Sequence, residues 1–369
     1  MKTIQRPPRW LWWLCLMVGV LAWGITTYNY HFIRRPLGQV VKVKTIARHQ
    51  VKDQYQNIDT QTDQMVTVRG LNGELQGKTV SARNTYSRSG AVDHQFKVGE
   101  QVFLQGIQQH HGKYQVQLGD LKRDRVLVML LWAVVSLLLL LMQFKGALAL
   151  LSVSLNAVLL WVALLVNQLT KGEMALPIFA GLTIVFTFVS LGIVLGWRAI
   201  ALVTAFATLI ATALAIGIGE TVLLLTHEKG VYFEAMEYVT QVPRAVFIAE
   251  IMLGSLGAVM DETADIAVTL AELKQLQPQL GRWEIFQAGR RVGRTIMGPL
   301  INVLFLIFIM DTFLNAFLLL KNGNNWGYTF SMAMSLGMVQ SLISGIGIVL
   351  AIPVISTLVA WWPVKESRS

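Results

Sequence analysis

The sequence is poor in the residues that give soluble proteins their charged surfaces and their covalent cross-links. Only 14% of its 369 residues are charged, whereas 54% are hydrophobic. A single cysteine, Cys15, excludes an intramolecular disulfide framework. The motifs HExxH, GxSxG and Walker A are missing, and no GxGxxG follows a predicted strand. The sequence therefore predicts no enzyme activity and no cofactor.

Long apolar stretches dominate the chain instead. Runs of about 17–25 residues without charges are typical of membrane-spanning helices. We predict eight spans, the last of which is too long for one simple crossing, so that either Pro353 breaks it or its first residues lie at the membrane surface. The predicted bounds are 10–27, 126–142, 146–170, 174–197, 199–219, 245–272, 296–320 and 326–362.

The distribution of lysine and arginine predicts the orientation in the membrane. Lys2, Arg6 and Arg9 precede the first span, so residues 1–36 are expected to hold a cytoplasmic N-terminus and an uncleaved signal anchor. The predicted inner loop, residues 273–294, has five lysines and arginines against one acid. We expect it to form a basic amphipathic helix on the inner surface, where contact with anionic lipid is a sufficient explanation for it. Both termini are then cytoplasmic in a plasma-membrane protein.

Residues 37–124 are polar and differ from the rest of the chain. Short runs such as KTVSA and KYQVQLG alternate with period 2 and are separated by turn signals, which predicts about five strands. We expect a small extracytoplasmic all-β domain, OB-like, between the first two spans, followed by a seven-helix membrane domain at 125–369. Residues 34–125 hold 15 Lys/Arg and 8 Asp/Glu, but their aromatic residues are scattered, so nucleic acid is not an expected partner.

The predicted span 245–272 carries acids where lipid disfavours them. On a helical wheel, one stripe about 80° wide holds Glu250, Gly254, Gly257, Asp261, Asp265, Val268 and Glu272. A charge in mid-membrane costs at least ~2.5 kcal/mol on insertion scales and usually faces a bundle interior or a wet cavity. Glycines on the same stripe allow a helix or a ligand to approach the backbone closely.

Asp261 and Asp265 are four residues apart and share this face, whereas Glu262 points ~100° away. Two facing carboxylates do not both ionise unless a cation lies between them, so the pair is expected to share a proton or a metal ion. Oxygen ligands favour hard ions such as Mg²⁺, Ca²⁺ or Mn²⁺. The alternative is that Asp261 caps a broken helix and that the acids after it are cytoplasmic.

The next span carries a second intramembrane acid, Asp311, which by residue count lies level with Gly254, and Asn302 lies level with Asp261. We consider a polar ladder between the two helices and, equally, a hydrogen bond from Asp311 to a serine or carbonyl that joins two helices. In the last span a small-residue face, Gly337, Ser341 and Gly345, favours helix packing rather than ligand binding.

Two segments, GSLGAVMD at 254–261 and GRRVGRTIMGPLIN at 289–302, resemble the YibE/F family of bacterial multi-span membrane proteins. The resemblance covers roughly residues 125–362, and the preceding β-domain fits the longer, YibE-like architecture. It implies a bacterial plasma membrane and a companion, a YibF-like membrane protein, with a homo-oligomer as the other arrangement. It implies no established activity.

Three functions are compatible with these features. The first is a transport or permease component for a cation or small solute, with Asp261, Asp265, Glu262, Glu250, Asp311 and Asn302 as candidate site residues. The second is a non-transporting assembly or envelope protein whose outer β-domain recruits a partner. The third, an intramembrane enzyme acting on lipid-linked substrates, lacks the motifs that usually accompany such chemistry.

Overall fold

Seven long apolar helices account for most of the residues described by the computed structural model, which are 8–52, 56, 58–90, 93–110, 113–236 and 242–362. Each of the seven is long and apolar enough to cross a membrane. The chain thus has the architecture of a polytopic helical membrane protein with a small β-domain. The helices are α1 (Arg9–Tyr28), α2 (Asp124–Leu169), α3 (Ala175–Leu195), α4 (Ala199–Leu225), α5 (Pro243–Leu276) and α6 (Arg282–Lys321), and a last one that starts with the short α7 (Trp326–Thr329) and continues as α8 (Ser335–Trp361).

The long helices keep one predicted break and differ from the predicted spans at two other places. The second and third spans, 126–142 and 146–170, lie in the 46-residue α2, in which two helices meet across a kink at Gln143, with φ 50° and ψ −123°. Pro353 does not break the last span, because α8 continues through it to Trp361; the irregularity is instead a π-helical turn at Phe330–Met334. The predicted inner loop is short, because α5 extends to Leu276 and α6 already begins at Arg282, so the basic segment is the start of α6.

The β-domain consists of five antiparallel strands, which confirms the strand prediction. They are β1 (Leu37–Lys52), β2 (Ile58–Gly70), β3 (Thr79–Ser87), β4 (Gln101–His110) and β5 (Lys113–Leu121). The hydrogen-bonded order is β3-β2-β1-β4-β5. Alternating residues of these strands, together with Leu75 and Phe96, form a buried core that includes Val66, Val68 and Val102. One-sided burial with period 2 is the expected result of the alternating sequence.

β1 and β2 are longer than the domain core requires. Beyond Val40 almost every β1 residue is exposed, including Ile46 and Val51. The two strands stay paired as far as Lys52 and Ile58, with register shifts between Val40 and Lys42 and between Thr45 and Ala47. β2 is also paired with β3 from Gln61 to Arg69, so only the tips of β1 and β2, residues 50–52 and 58–60, extend beyond β3 as a two-stranded ribbon.

The chain divides into two compact units, Met1–Gly146 and Ala147–Ser369. In the second unit α8 packs against α4, α5 and α6. The core between these helices contains Ala207, Ile266, Ile355 and Val359. Small residues allow the close packing: a Cβ on Gly293 of α6 would lie 2.7 Å from Ile352, and one on Gly347 would lie 2.8 Å from Val259.

Candidate functional site

The two faces of α5 have opposite characters. Its buried face carries Phe247, Ile251, Val259, Ile266 and Leu270 toward the neighbouring helices. The other face, which is exposed on the chain, carries the whole predicted stripe: Glu250, Gly254, Gly257, Asp261, Asp265, Val268 and Glu272. The periodicity thus groups these residues correctly. They lie on the outside of the helical unit, however, and do not line a closed interior.

The acids of this exposed stripe form no ion pair with a basic residue in the part of the chain that the structure describes. The ion pairs among the described residues involve Asp63, Asp124, Glu220 and Glu228. Asp261 is 18 residues after the start of α5 at Pro243, which at 1.5 Å per residue is about 27 Å along the helix. The helix continues unbroken to Leu276, so Asp261 does not cap a broken helix. The acids of the stripe therefore lie on the surface of one continuous helix.

Two neighbouring helices add polar groups to this face. Asp311 on α6 is exposed and lies close enough to Glu250 for the two charges to interact. On α8, the Gln340 side-chain nitrogen lies only 2.8 Å from where a Cβ on Gly254 would be. Asn302 is also exposed, but it precedes Asp311 by nine residues, about 13.5 Å along α6. The structure thus brings together Glu250, Asp311, Gly254 and Gln340.

Glu262 is the acid that the fold buries completely, with no solvent exposure. Neither of its carboxylate oxygens has a hydrogen-bond partner among the residues that the structure describes. It lies on the face of α5 that carries Val259 and Ile266, within interaction distance of the Asp265 charge one turn along. A carboxyl group buried without donors costs free energy, so its presence in the bundle calls for an explanation.

A row of threonines on α4 forms a polar seam that was not predicted from the sequence. Thr204, Thr208 and Thr212 are fully or almost fully buried at a spacing of four residues. The Thr208 hydroxyl is 2.6 Å from that of Thr263 on α5, the residue next to Glu262. The spacing of four residues was the sequence pattern that could have indicated this seam. The pattern is not specific, because a threonine hydroxyl in a membrane helix usually donates to a backbone carbonyl of the preceding turn, as Thr208 also does to the Thr204 carbonyl.

The predicted close-approach positions behave differently from one another. A Cβ on Gly337 would lie 2.8 Å from the Phe308 ring of α6, and Ser341 is buried, so this part of α8 is a packing face. Gly257 and Gly345 have open space where a Cβ would be. Their lack of a side chain is therefore not needed for packing within the described chain.

The exposed acids do not make a complete metal site by themselves. No group of three or more His, Cys, Asp or Glu side chains suited to a metal ion occurs in the described ranges. Asp261 and Asp265 supply carboxylates from two positions of one helix. A cation there would take its remaining oxygens from amides, backbone, water or another chain.

Comparison with known families gives two adjacent matches. The model of the YibE/F-like protein matches residues 130–365. The chain belongs to the YibE/F-like family. The model of the YibE/F family N-terminal domain matches residues 29–121, which include the five strands. The membrane match contains all the candidate site residues of α5, α6 and α8. No curated protein and no solved structure matches the chain significantly.

Proposed function

We propose that this YibE/F-like protein is a plasma-membrane transport or permease component that moves a cation or small solute along the acidic face of α5. The observation that carries the proposal is the exposed row of Glu250, Asp261 and Asp265 on a bilayer-length helix without basic partners in the described chain. Unpaired acids at membrane depth are typical of ion pathways and proton relays. No enzymatic reaction is part of this function.

The spacing of the acids suits stepwise binding. Asp261 and Asp265 lie one turn apart and form one station, able to hold a proton or a hard cation between two carboxylates. Glu250, with Asp311 beside it, forms a second station 11 residues away, about 16.5 Å along α5. Gly254 and Gly257 lie between the stations: Gly257 leaves the backbone open to a passing ion, and the Gln340 amide lies beside Gly254. Glu262 provides a carboxyl group on the buried side.

A lipid-facing row of carboxylates is unfavourable, so the proposal includes a second membrane chain that covers the face. A YibF-like companion, or a second copy of this chain, would convert the open stripe into a pathway between two proteins. The exposed glycines suit such a contact, because they allow two helices to approach closely. The membrane is the bacterial plasma membrane, with both termini cytoplasmic and the β-domain outside. Nucleic acid is not a partner.

The decisive experiment measures cation flux into proteoliposomes with the full-length protein, alone and with its companion. Replacement of Asp261 and Asp265 together by asparagine is expected to abolish flux, because the first station loses both charges and its shared proton. The matched control replaces two exposed acids of the β-domain, Glu74→Gln with Asp120→Asn, and is expected to keep wild-type flux. Undiminished flux in the membrane double variant would refute the mechanism.

The alternative function is a non-transporting assembly or envelope protein that recruits a partner through the β-domain. The exposed distal part of β1 favours it, since its Ile46 and Val51 suit a protein contact. This function predicts co-purification that depends on the distal part of β1, and no flux that responds to Asp261. The double replacement Ile46→Asp with Val51→Asp should release the partner. The double replacement Lys42→Asp with Lys44→Asp is the control, because it changes the charge of the same strand without removing an apolar side chain.

We also propose that the β-domain is OB-like. The strand order β3-β2-β1-β4-β5 supports it, as does the approach of β3 to β5 within 8 Å between Cα atoms. Lys78, just before β3, donates a 2.8 Å hydrogen bond to the Tyr114 hydroxyl on β5 and so bridges that seam. Such a partly open five-stranded barrel is the OB arrangement.

A further inference from the structure

Three exposed arginines lie together near the start of α6. Arg290, Arg291 and Arg294 fall within a sector of about 100° on the helix, and with Gln287 they line one surface hollow. Arg291 also lines a second, larger hollow of about 600 Å³, which lies between the end of α5 and the start of α6. That volume is within the ~300–1,000 Å³ typical of small-molecule sites.

The depth of these arginines along α6 matches that of lipid phosphates. The apolar part of α6 begins at Ile296. At 1.5 Å per residue, Arg294, Arg291 and Arg290 lie about 3, 7.5 and 9 Å before it. The headgroup layer on each side of a bilayer is roughly 5–7 Å thick, with the hydrocarbon core inside it. With long, flexible side chains, all three guanidinium groups reach this layer.

The positive charge of this cluster is not neutralised within the chain. None of the three arginines forms an ion pair with another described residue. Glu284 is the acid that lines the larger hollow, and its carboxylate accepts a 2.8 Å hydrogen bond from the Gly281 backbone N–H at the helix start. Lys274 is committed elsewhere, because its ammonium group donates to carbonyls at the end of α8, including that of Trp362 at 3.1 Å.

The larger hollow combines this charge with an apolar wall. Leu273, Leu280, Ala288 and Val292 line it beside Gln287, Arg291 and Thr295. Two exposed tryptophans occur at the same end of the helical unit: Trp283 stacks on Phe286, and Trp361 lies 4.6 Å below the Arg282 guanidinium.

We propose that the end of α5 and the start of α6 form a binding site for an anionic phospholipid. Its phosphate contacts Arg291, with Arg290 and Arg294 beside it, and its acyl chains extend toward the apolar part of α6, which begins at Ile296. Guanidinium groups recognise phosphate oxygens bidentately, which suits them to this role. The site is independent of the acidic face of α5, and neither proposal depends on the other.

The test uses full-length protein in a neutral detergent and follows its thermal unfolding during titration with phosphatidylglycerol. Phosphatidylcholine with the same acyl chains and inorganic phosphate serve as the two comparison ligands. Phosphatidylglycerol is expected to raise the Tm, and the other two are not. Equal stabilisation by phosphatidylcholine would overturn the proposal, and so would an equal effect of phosphate alone, which would indicate a site for free anions.

Variants locate the site. The triple replacement Arg290→Gln, Arg291→Gln and Arg294→Gln should weaken lipid binding, so that the half-saturating lipid concentration rises at least tenfold. The matched control removes three exposed β-domain arginines, by Arg48→Gln, Arg69→Gln and Arg88→Gln, and should leave it unchanged. Equal effects of the two triple variants would show a non-specific charge effect and refute the site. If the α6 triple does not fold, Arg291→Gln alone should weaken binding more than Arg290→Gln, and the reverse order would contradict the assignment.

Discussion

Replacement of Glu262 by methionine tests whether the buried carboxyl group destabilises the folded protein. The side chain is fully buried, and neither oxygen has a hydrogen-bond partner in the described chain. A buried polar group without partners costs about 1–3 kcal/mol. Methionine is similar in volume and has no strong polar atoms, so Glu262→Met should increase the free energy of unfolding by about that amount.

The measurement is thermal unfolding of purified protein in detergent, with wild type, Glu262→Met and Glu262→Gln compared side by side. For units of 150–250 residues, 1 kcal/mol corresponds to roughly 2–4 °C in Tm, so Glu262→Met should unfold roughly 2–12 °C higher than wild type. Glu262→Gln should stay close to wild type, because its amide is also buried without partners. Glu272→Met, on the exposed face of the same helix, is the control and should change little.

Flux measurements on the same variants separate function from packing. If Glu262 serves transport, both Glu262→Met and Glu262→Gln should lose flux, the first while gaining stability, as expected where function retains an unfavourable group. The reasoning would be refuted if Glu262→Met were less stable than wild type by more than about 1 kcal/mol. The carboxylate would then have a stabilising partner.

Two further outcomes follow from local contacts. Gly337→Ala should lower the Tm, because its Cβ would lie within 3 Å of the Phe308 ring of α6. Gly345→Ala, in open space on the same helix, should be neutral or stabilising by up to ~1 kcal/mol. Equal changes of Tm in the two variants would contradict the packing account. Hydrogen bonds from Thr85 and then Arg83 lower the pKa of Asp63 in β2. Its stabilising effect is therefore complete above the unfolded pKa, about 3.9, and is lost as pH falls through the lower folded pKa. Hydrogen exchange of β2 and β3 should show that the wild type loses protection at acid pH, and that Asp63→Asn is already less protected than wild type at pH 7. A wild type that gains protection on acidification would contradict the predicted direction of the pH dependence.

Local patterns made most of the architecture predictable. Alternation with period 2 located all five strands, and apolar length located the long helices, because both depend on burial of one face or on contact with lipid. The helix ends were less predictable. The basic start of α6 was predicted as a separate helix on the inner surface, because charge decided the boundary of the span, whereas a helix that leaves the bilayer keeps its own hydrogen bonds and continues. Pro353 was considered as a break, yet α8 continues through it, as neighbouring helices allow.

The candidate site was predictable as a grouping of residues and not as an environment. Helical periodicity alone put Glu250, Asp261 and Asp265 on one stripe and Glu262 about 100° away. Periodicity has no direction, so it does not say which stripe faces the bundle. Packing against α4 and α8 decided that Glu262 is the buried acid and that the stripe is exposed.

The sequence by itself determined the membrane class, the β-domain, the family and the set of intramembrane acids, because each depends on composition and on spacing along one element. Tertiary structure alone decided which acid is buried, that Gln340 reaches Gly254, and that the α4 threonines meet α5 through Thr208. These facts depend on contacts between residues distant in the chain, and such contacts exist only once the helices have packed against one another.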